Sequence, residues 1–526
     1  MLVFLFQQNV EKCKKIEWNF NNIMVKLKCE VSKKMSNEKL ENILWDSANK
    51  LRGGISAADY MHVVLGLIFL KYLSDKFDVR YKELINEGKG YENDKDEYLK
   101  KMIFWIPEEA RWSYISKYSK SEELGKVLDE AFIAIEKQNP ELKNILPKTY
   151  SKLEVDQRRL GELIDLFTNK LDTTNAGGDF FGKVYEYFMG KFARNLGQKG
   201  GEFYTPRCVV ELLVEMIEPF NGKVYDPCCG SGGMFVQSAN FVNEHQGNIN
   251  NISVYGQELN ATTWRLAKMN LAIRGIEADL GDSNGDTFHD DKHKALRADY
   301  ILANPPFNIK DYGQESLLED PRWKYDVPPK GNANYAWIQH MISKLSPKGV
   351  AGFVLANGSL STSQTQEYNI RKAMIEDDIV DCIITLPDKL FYTTGIPVSL
   401  WFLRKQKTQD NKILFIDLRE KGTLIDRKIR ELSKEEIKEA ANTYHNWLKN
   451  ENYEDIKGYC YSASLEEIRA NDYSLVSGRY VGIDDSNEMS KEEVEKQIKI
   501  VSNELKDLLK ENQELAKKVE EILDMQ

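Results

Sequence analysis

The chain has 526 residues, which is enough for roughly two to four domains with well-developed cores. Its 72 Lys and Arg residues and 82 Asp and Glu residues give a net charge of −10, which argues against a free-standing protein held on nucleic acid by its overall field. The seven cysteines include no C-x-x-C pair, which argues against a zinc knuckle, and we expect a reduced cytoplasm as the setting. No apolar run is long enough to span a membrane.

The amino-terminal third is predicted to be helical. Residues 1–34 are basic and poorly patterned, and we interpret them as a leader, with the hypothesis that native translation begins at Met35. A first helix is then predicted to stop at Gly53-Gly54, and a second to run over about 57–75. Helical periodicity continues with few strand-like runs, so residues 35–172 are predicted to form an all-α domain, for which a scaffold or docking role is the simplest interpretation.

An α/β unit is predicted over residues 173–430, and it opens with a glycine-rich loop. After a predicted helix over 182–196, a strand at Val224-Tyr225 runs into Asp226-Pro227-Cys228-Cys229-Gly230-Ser231-Gly232-Gly233. A strand, a glycine loop and a helix in this order are typical of the first unit of a nucleotide-binding fold. The loop has neither the dinucleotide spacing nor the Gly-Lys-Ser/Thr of a phosphate-binding loop. The tight turn, with the acidic Asp226 at the end of the strand, suits a small ligand with a cationic amino-acid part.

Two further acidic residues are candidates for the same site. Glu258 stands just past the predicted strand 252–256, where a carboxylate can accept the protons of both ribose hydroxyls. The alternative is a solvated glutamate at a helix start, which is common. Asp286 precedes the next predicted strand and is a candidate to hold an adenine amino group.

The stretch Asn304-Pro305-Pro306-Phe307 follows a short apolar run over 298–303 that is predicted to be a buried strand. Two prolines end the strand and stiffen the backbone at the sheet edge where ligands bind in open α/β folds. The Asn304 side-chain oxygen and the Pro305 carbonyl can both accept hydrogen bonds from the amino group of a nucleobase. Such acceptors would free the nitrogen lone pair for attack on a methyl donor, and Phe307 offers a face for an extruded base. The alternative is a proline-ended loop with an aromatic plug.

The rest of the chain is predicted to complete the sheet and to add an assembly helix. Four more strands bring the total to about seven, and residues 431–485 are predicted to form a helical or irregular extension. Over 486–526, apolar residues recur four and three apart, with Asn512 on the same seam. This heptad pattern predicts a helix that docks on a partner helix, although an amphipathic helix packed on its own domain remains the alternative.

Five blocks in this order resemble the modification subunit of type I restriction–modification systems: Phe203-Tyr204-Thr205-Pro206-Arg207, Asp226–Gly233, Gly256–Asn260, Asn304–Asn308 and Gly331–Trp337. The similarity runs from about residue 35 to residue 526. It implies a class I S-adenosylmethionine-dependent methyltransferase fold, with an all-α amino-terminal domain and a coiled-coil-like carboxyl-terminal helix. Position 202 is Glu, where that family commonly has Gln.

The resemblance implies a site-specific DNA adenine-N6 methyltransferase that requires no metal. Its implied catalytic residues are Asn304, Pro305, Pro306 and Phe307. The residues implied to hold S-adenosylmethionine are Glu202, Phe203, Tyr204, Thr205, Pro206, Arg207, Asp226, Gly230, Ser231, Gly232, Gly233, Glu258 and Asp286. The implied partners are double-stranded DNA, a specificity subunit that takes two copies of this chain, and a restriction subunit.

Two other readings remain open on the sequence. One is a self-sufficient DNA methyltransferase or a protein-glutamine methyltransferase, because Asn-Pro-Pro strand ends occur in both classes. The other is a non-catalytic assembly module, in which the helical domain and the heptad helix are the working parts and the pocket is vestigial.

Overall fold

The structure is a computed structural model that describes residues 42–44, 46–47, 57–152, 156–174, 184, 205–391, 397–426 and 429–482. Its helices are α1 (Ala57–Glu87), α2 (Asp96–Leu99), α3 (Trp112–Ile115), α4 (Leu124–Gln138), α5 (Gln157–Lys170), α6 (Arg207–Ile217), α7 (Gly233–Glu244), α8 (Ala261–Ala272), α9 (Asn334–Lys344), α10 (Thr365–Glu376), α11 (Lys434–Lys449) and α12 (Leu465–Ala470). Its strands are β1 (Gly222–Asp226), β2 (Ile252–Gly256), β3 (Ala278–Asp279), β4 (Ala298–Ala303), β5 (Leu345–Ala356), β6 (Val380–Thr385), β7 (Val398–Arg404), β8 (Lys412–Asp417), β9 (Thr423–Asp426), β10 (Ile429–Glu431) and β11 (Cys460–Ser464).

Helices account for the regular structure described between residues 57 and 174, as the periodicity predicts. The predicted second helix is longer than expected, because no Gly or Pro follows its predicted end at Asp75 until Gly88, which has the left-handed φ of +67° that favours glycine. An aromatic cluster packs beneath it. Phe77 stacks on Tyr98 with ring centroids 4.7 Å apart, and Trp105 meets Phe77 edge-on at 5.3 Å.

A nine-stranded sheet in the order β11-β8-β6-β7-β5-β4-β1-β2-β3 forms the centre of the described α/β region. Strand β7 runs antiparallel to β5 and β6, strand β11 runs antiparallel to β8, and the other pairs are parallel. All seven predicted strands are present, but the count of about seven was too low. Strand β3 has only two residues, and β11 is a polar strand inside the predicted helical or irregular extension, so neither carries an apolar run that sequence patterning detects.

Helix α8 joins the helical region to the sheet. Its residues Leu266 and Met269 belong to the apolar core of the helical region, whereas Trp264 and Leu271 belong to the core around the sheet. The helix is thus buried on two faces by two different cores.

The leader over 1–34, the predicted helix over 182–196 and the heptad helix over 486–526 lie outside the described residues, apart from single positions. Among the helices that are described, none combines the length and apolar character needed to cross a membrane.

Candidate active site

The glycine-rich loop lies at the carboxyl end of β1, and backbone hydrogen bonds tie it to the end of β2. The Gln257 N–H donates to the Asp226 carbonyl at 3.0 Å, and the Cys229 N–H donates to the Gln257 carbonyl at 2.9 Å. Gly230 and Gly232 have left-handed φ values of +53° and +81°, which only glycine adopts without cost. A Cβ added at Gly230 would meet no atom within 4 Å, so the loop presents open space above its backbone, as a ligand cradle requires.

Glu258 fastens this loop to the start of α8. One carboxylate oxygen accepts the Gly230 N–H at 3.0 Å, and the other accepts the Asn260 N–H at 2.8 Å. Asn260 in turn caps α8 through its side-chain oxygen. Each carboxylate oxygen has a second lone pair, so Glu258, which is 8% exposed, can accept further hydrogen bonds such as those of a ribose diol. Next to it, Leu259 is 62% exposed and offers an apolar face that sequence analysis did not single out.

Asp226 is buried beneath the loop. Its Oδ1 accepts the Cys228 N–H at 3.0 Å. Burial raises the pKa of Asp226 to about 7, with a smaller contribution from the negative charge of Glu258, while the hydrogen bonds from Cys228 oppose the rise. A cationic ligand in the adjacent cradle would favour the ionised carboxylate.

This burial predicts a pH dependence of stability. The pKa of an unfolded aspartate is about 3.9. The native carboxyl therefore holds its proton between about pH 4 and the native pKa of about 7, so the stability that it contributes is full at low pH and is lost as the pH rises through 7. We expect the melting temperature of the wild type to fall relative to that of Asp226→Asn between about pH 5 and about pH 8. Exposed Asp326→Asn is the control, and a difference that does not change with pH would contradict the prediction.

Asp286 lies beside the same loop. The Gly285 N–H donates to the Glu258 carbonyl at 2.9 Å, and the Thr287 hydroxyl donates to the Pro227 carbonyl at 2.6 Å. The Asp286 carboxylate accepts the Phe288 N–H at 2.8 Å and lies 3.1 Å from His289 Nδ1. Its side chain remains 42% exposed, so it can reach a ligand from this edge.

Asn304 and the prolines follow β4, which is the direct neighbour of β1 in the sheet, with Tyr225 opposite Ile301. We call Asn304–Phe307 the proline corner. Because neighbouring parallel strands lie about 4.8 Å apart, the proline corner and the glycine loop lie at the same edge of the sheet. Asn304 Nδ2 donates to the Thr205 hydroxyl at 2.8 Å. This bond orients the Asn304 amide and joins two of the predicted blocks that are 99 residues apart in the chain.

Phe307 is less accessible than the sequence led us to expect. It is 5% exposed, and its ring meets Phe391 edge-on with centroids 6.5 Å apart. The ring face that was predicted to receive a stacked base is therefore largely covered in this structure. Residues 392–396, directly after Phe391, lie outside the described part of the chain.

The other predicted residues are placed as follows. Pro206 occupies the N-cap position of α6 without a side-chain capping bond, and Arg207 Nε pairs with Glu211 at 2.7 Å along that helix. Ser231 is partly exposed in the loop, and Gly233 opens α7 with open space where a Cβ would lie. Glu202, Phe203 and Tyr204 lie outside the described residues.

Asn334 holds the residue after the proline corner, a contact that sequence reasoning missed. The Asn308 N–H donates to Asn334 Oδ1 at 2.9 Å, and Asn334 Nδ2 donates back to Asn308 Oδ1 at 2.9 Å. Asn308 has a left-handed φ of +55°, so this reciprocal pair supports a strained backbone position. The Gly331–Trp337 block, which contains Asn334, was the sequence feature that could have indicated this contact.

Comparisons with known proteins identify the family of the chain. The N-6 DNA Methylase family profile matches residues 176–489, and the HsdM N-terminal domain profile matches residues 40–167. The chain belongs to the N-6 DNA methylase family. This is the family of adenine-N6 DNA methyltransferases, and the type I restriction methylase subunits are its relatives, as the resemblance predicted.

Two such relatives illustrate the match. The HindI methylase subunit of Haemophilus influenzae is 46% identical over 72% of this chain and 90% of its own length. The MjaIX methylase subunit of Methanocaldococcus jannaschii is 39% identical over 92% of this chain and 91% of its own. Among solved structures, a type I methyltransferase subunit from Streptococcus thermophilus superposes with a TM-score of 0.71 at 28% identity, covering 85% of this chain and 100% of that chain.

Proposed function

We propose that this N-6 DNA methylase is the modification subunit of a type I restriction–modification complex and transfers a methyl group from S-adenosylmethionine to N6 of an adenine extruded from duplex DNA. The observation that carries the proposal is the adjacency of the proline corner to the glycine loop on neighbouring strands β4 and β1. One edge of the sheet can thus hold a base and a small cofactor side by side.

The cofactor cradle is supported by the chemistry of its donors. S-adenosylmethionine supplies an electrophilic methyl group on a sulfonium. Gly230 and Gly233 leave room that its amino-acid part would fill, Glu258 would accept its ribose hydroxyls, and Leu259 and Asp286 would hold its adenine. Asp226 below the loop supplies negative charge opposite a cationic ligand once it is ionised.

The acceptors of the corner act on the target base. Asn304, oriented by Thr205, and the Pro305 carbonyl accept the two hydrogens of the adenine amino group. This draws the nitrogen toward tetrahedral geometry, so its lone pair points at the methyl carbon. S-adenosylmethionine held in the cradle would supply the methyl group and would keep the electron pair of the broken C–S bond on sulfur. The methylated amino nitrogen would then release one proton to water.

The partners belong to the same proposal. We infer that a specificity subunit supplies sequence recognition to two copies of this chain, that a restriction subunit joins the complex, and that the cytoplasm is its setting. The negative net charge supports a DNA affinity that comes from the partner subunits and not from this chain alone. The relatives are named as methylase subunits of type I restriction enzymes.

The test compares substrates. With labelled S-adenosylmethionine, the complex should label the DNA of a host that lacks this gene and should not label protein. Modified-base sequencing of host DNA with and without the gene then gives the recognised site. Label on a protein glutamine would favour the alternative enzyme, and an intact chain that binds no S-adenosylmethionine would favour an assembly module.

Asn334 is expected to act on the rate and not on cofactor binding. Asn334→Ala removes the support of Asn308 and lets the proline corner move, and misplacement of about 1 Å costs about a hundredfold in rate. We therefore expect kcat to fall by about ten- to a hundredfold with an unchanged Kd for S-adenosylmethionine. The control is Asn250→Ala, which changes an exposed asparagine before β2. An equal loss of cofactor affinity would show a general loss of folding instead.

A further inference from the structure

A two-stranded hairpin, β9–β10, lies outside the main sheet on the catalytic edge. It follows β8, whose end at Asp417 pairs in parallel with Thr385 of β6. Because β6 and β4 point the same way, the hairpin leaves the sheet at the edge where the proline corner lies.

Hydrogen bonds hold the start and the end of the hairpin beside the proline corner. The Arg430 N–H donates to the Lys389 carbonyl at 2.9 Å, and Lys389 lies two residues before Phe391, the ring that meets Phe307. On the other strand, the Gly422 N–H donates to Glu436 Oε1 at 2.7 Å at the start of α11. These bonds set the position of the ribbon relative to Phe307.

The outer part of the hairpin is apolar and exposed. Leu424 is 50% exposed and Ile425 is 63% exposed, and no other large exposed apolar side chains in the described residues are neighbours in sequence. The register shifts by one residue opposite Ile425, which is a β-bulge and lets adjacent side chains both face outward. In the described part of the chain, the ribbon pairs only with itself, and such ribbons gain little stability alone.

The position of the hairpin beside the proline corner favours DNA as the occupant, and the sequence of the hairpin is more basic than the chain as a whole. Residues 419–431 contain five Lys or Arg residues and three Asp or Glu residues, whereas the whole chain has a net charge of −10. Each described basic residue of this segment also lies near a carboxylate: Arg419 pairs with Asp417 at 2.6 Å, Lys421 pairs with Glu439 at 2.8 Å, and Asp388 lies 3.5 Å from Arg430. Leu and Ile are among the apolar side chains that proteins insert as wedges between the base steps of duplex DNA.

We propose that Leu424 and Ile425 form a wedge that enters the DNA duplex beside the target adenine and stabilises its extruded state. This inference rests on the proposed function. Extrusion leaves a gap in the stack and breaks one base pair, which costs less when the base is already mispaired. A wedge that fills the gap therefore matters most on fully paired DNA.

The test uses the complete complex with its specificity subunit and two duplexes that differ only opposite the target adenine. For Leu424→Ala/Ile425→Ala, we expect methylation of the paired duplex to slow by about tenfold and that of the mismatched duplex by no more than about twofold. With 2-aminopurine at the target, the fluorescence gain on binding should fall in the variant. The matched control, Ile85→Ala/Ile133→Ala, removes two exposed apolar side chains from the helical region and should leave both rates unchanged.

Three results would overturn the wedge: unchanged rates, equal losses on the two duplexes, or loss of the specificity subunit on purification, which would assign the hairpin to a protein interface. All three leave the proposed function standing. A wild-type complex that binds S-adenosylmethionine but methylates neither duplex removes the proposed function itself, and the wedge with it.

Discussion

Asn304→Ala should abolish methyl transfer to DNA, with a fall in kcat of at least about a hundredfold. The reason is that the Asn304 amide, oriented by its 2.8 Å bond to Thr205, supplies one of the two acceptors that activate the adenine nitrogen. The measurement is a single-turnover assay with labelled S-adenosylmethionine and a duplex that carries the recognised site.

Controls separate this effect from damage to the fold. Asn442→Ala removes an exposed asparagine from α11 and should leave the rate unchanged. The affinity of Asn304→Ala for S-adenosylmethionine and its assembly should also be unchanged, whereas a comparable rate in this variant would remove the proposed mechanism. Phe307→Ala should also lose activity, but it is the weaker test, because emptying a site that is 5% exposed costs about 3–5 kcal/mol of stability.

Glu258→Gln should weaken binding of S-adenosylmethionine by about a hundredfold, because hydrogen bonds to a charged acceptor contribute about 1.5–3 kcal/mol each. The substitution keeps the shape of the side chain but replaces one carboxylate oxygen by an amide nitrogen, which cannot accept. It therefore removes the acceptor of one of the two backbone bonds, that from Gly230 or that from Asn260, as well as one acceptor proposed for the ribose. Titration calorimetry measures the change.

The matched control for Glu258 is Glu244→Gln, at the far end of α7, where the side chain is exposed and the glycine loop is remote. Cofactor should raise the melting temperature of the wild type and of the control, and should do so much less for Glu258→Gln. An affinity for S-adenosylmethionine equal to that of the wild type would show that Glu258 is not a ribose ligand and only fastens the loop.

The parts of the site that could be predicted are those that short motifs at the ends of strands determine. A strand followed by Asp226 and glycines, and a strand followed by Glu258, place these residues at one sheet edge whatever the rest of the chain does. Strands β3 and β11 escaped detection because two residues and a polar run carry no periodic signal.

Long-range contacts could not be predicted from such short motifs. Phe307 meets Phe391, and Asn308 is supported by Asn334, so each contact requires knowledge of which segments meet in space. The pKa of Asp226 likewise depends on its burial beneath the loop, which the residue type does not reveal.

The two-faced helix α8 restricts how such proteins can be recombined. A chimera that takes its first 174 residues from one relative and the remainder from another must match the surface around Leu266 and Met269, or leave a void or a clash there. The same helix begins at Asn260, which Glu258 holds. In a poorly matched chimera, the Glu258 carboxylate would therefore be less firmly held. We expect such a chimera to lose cofactor affinity although every residue of its pocket is intact.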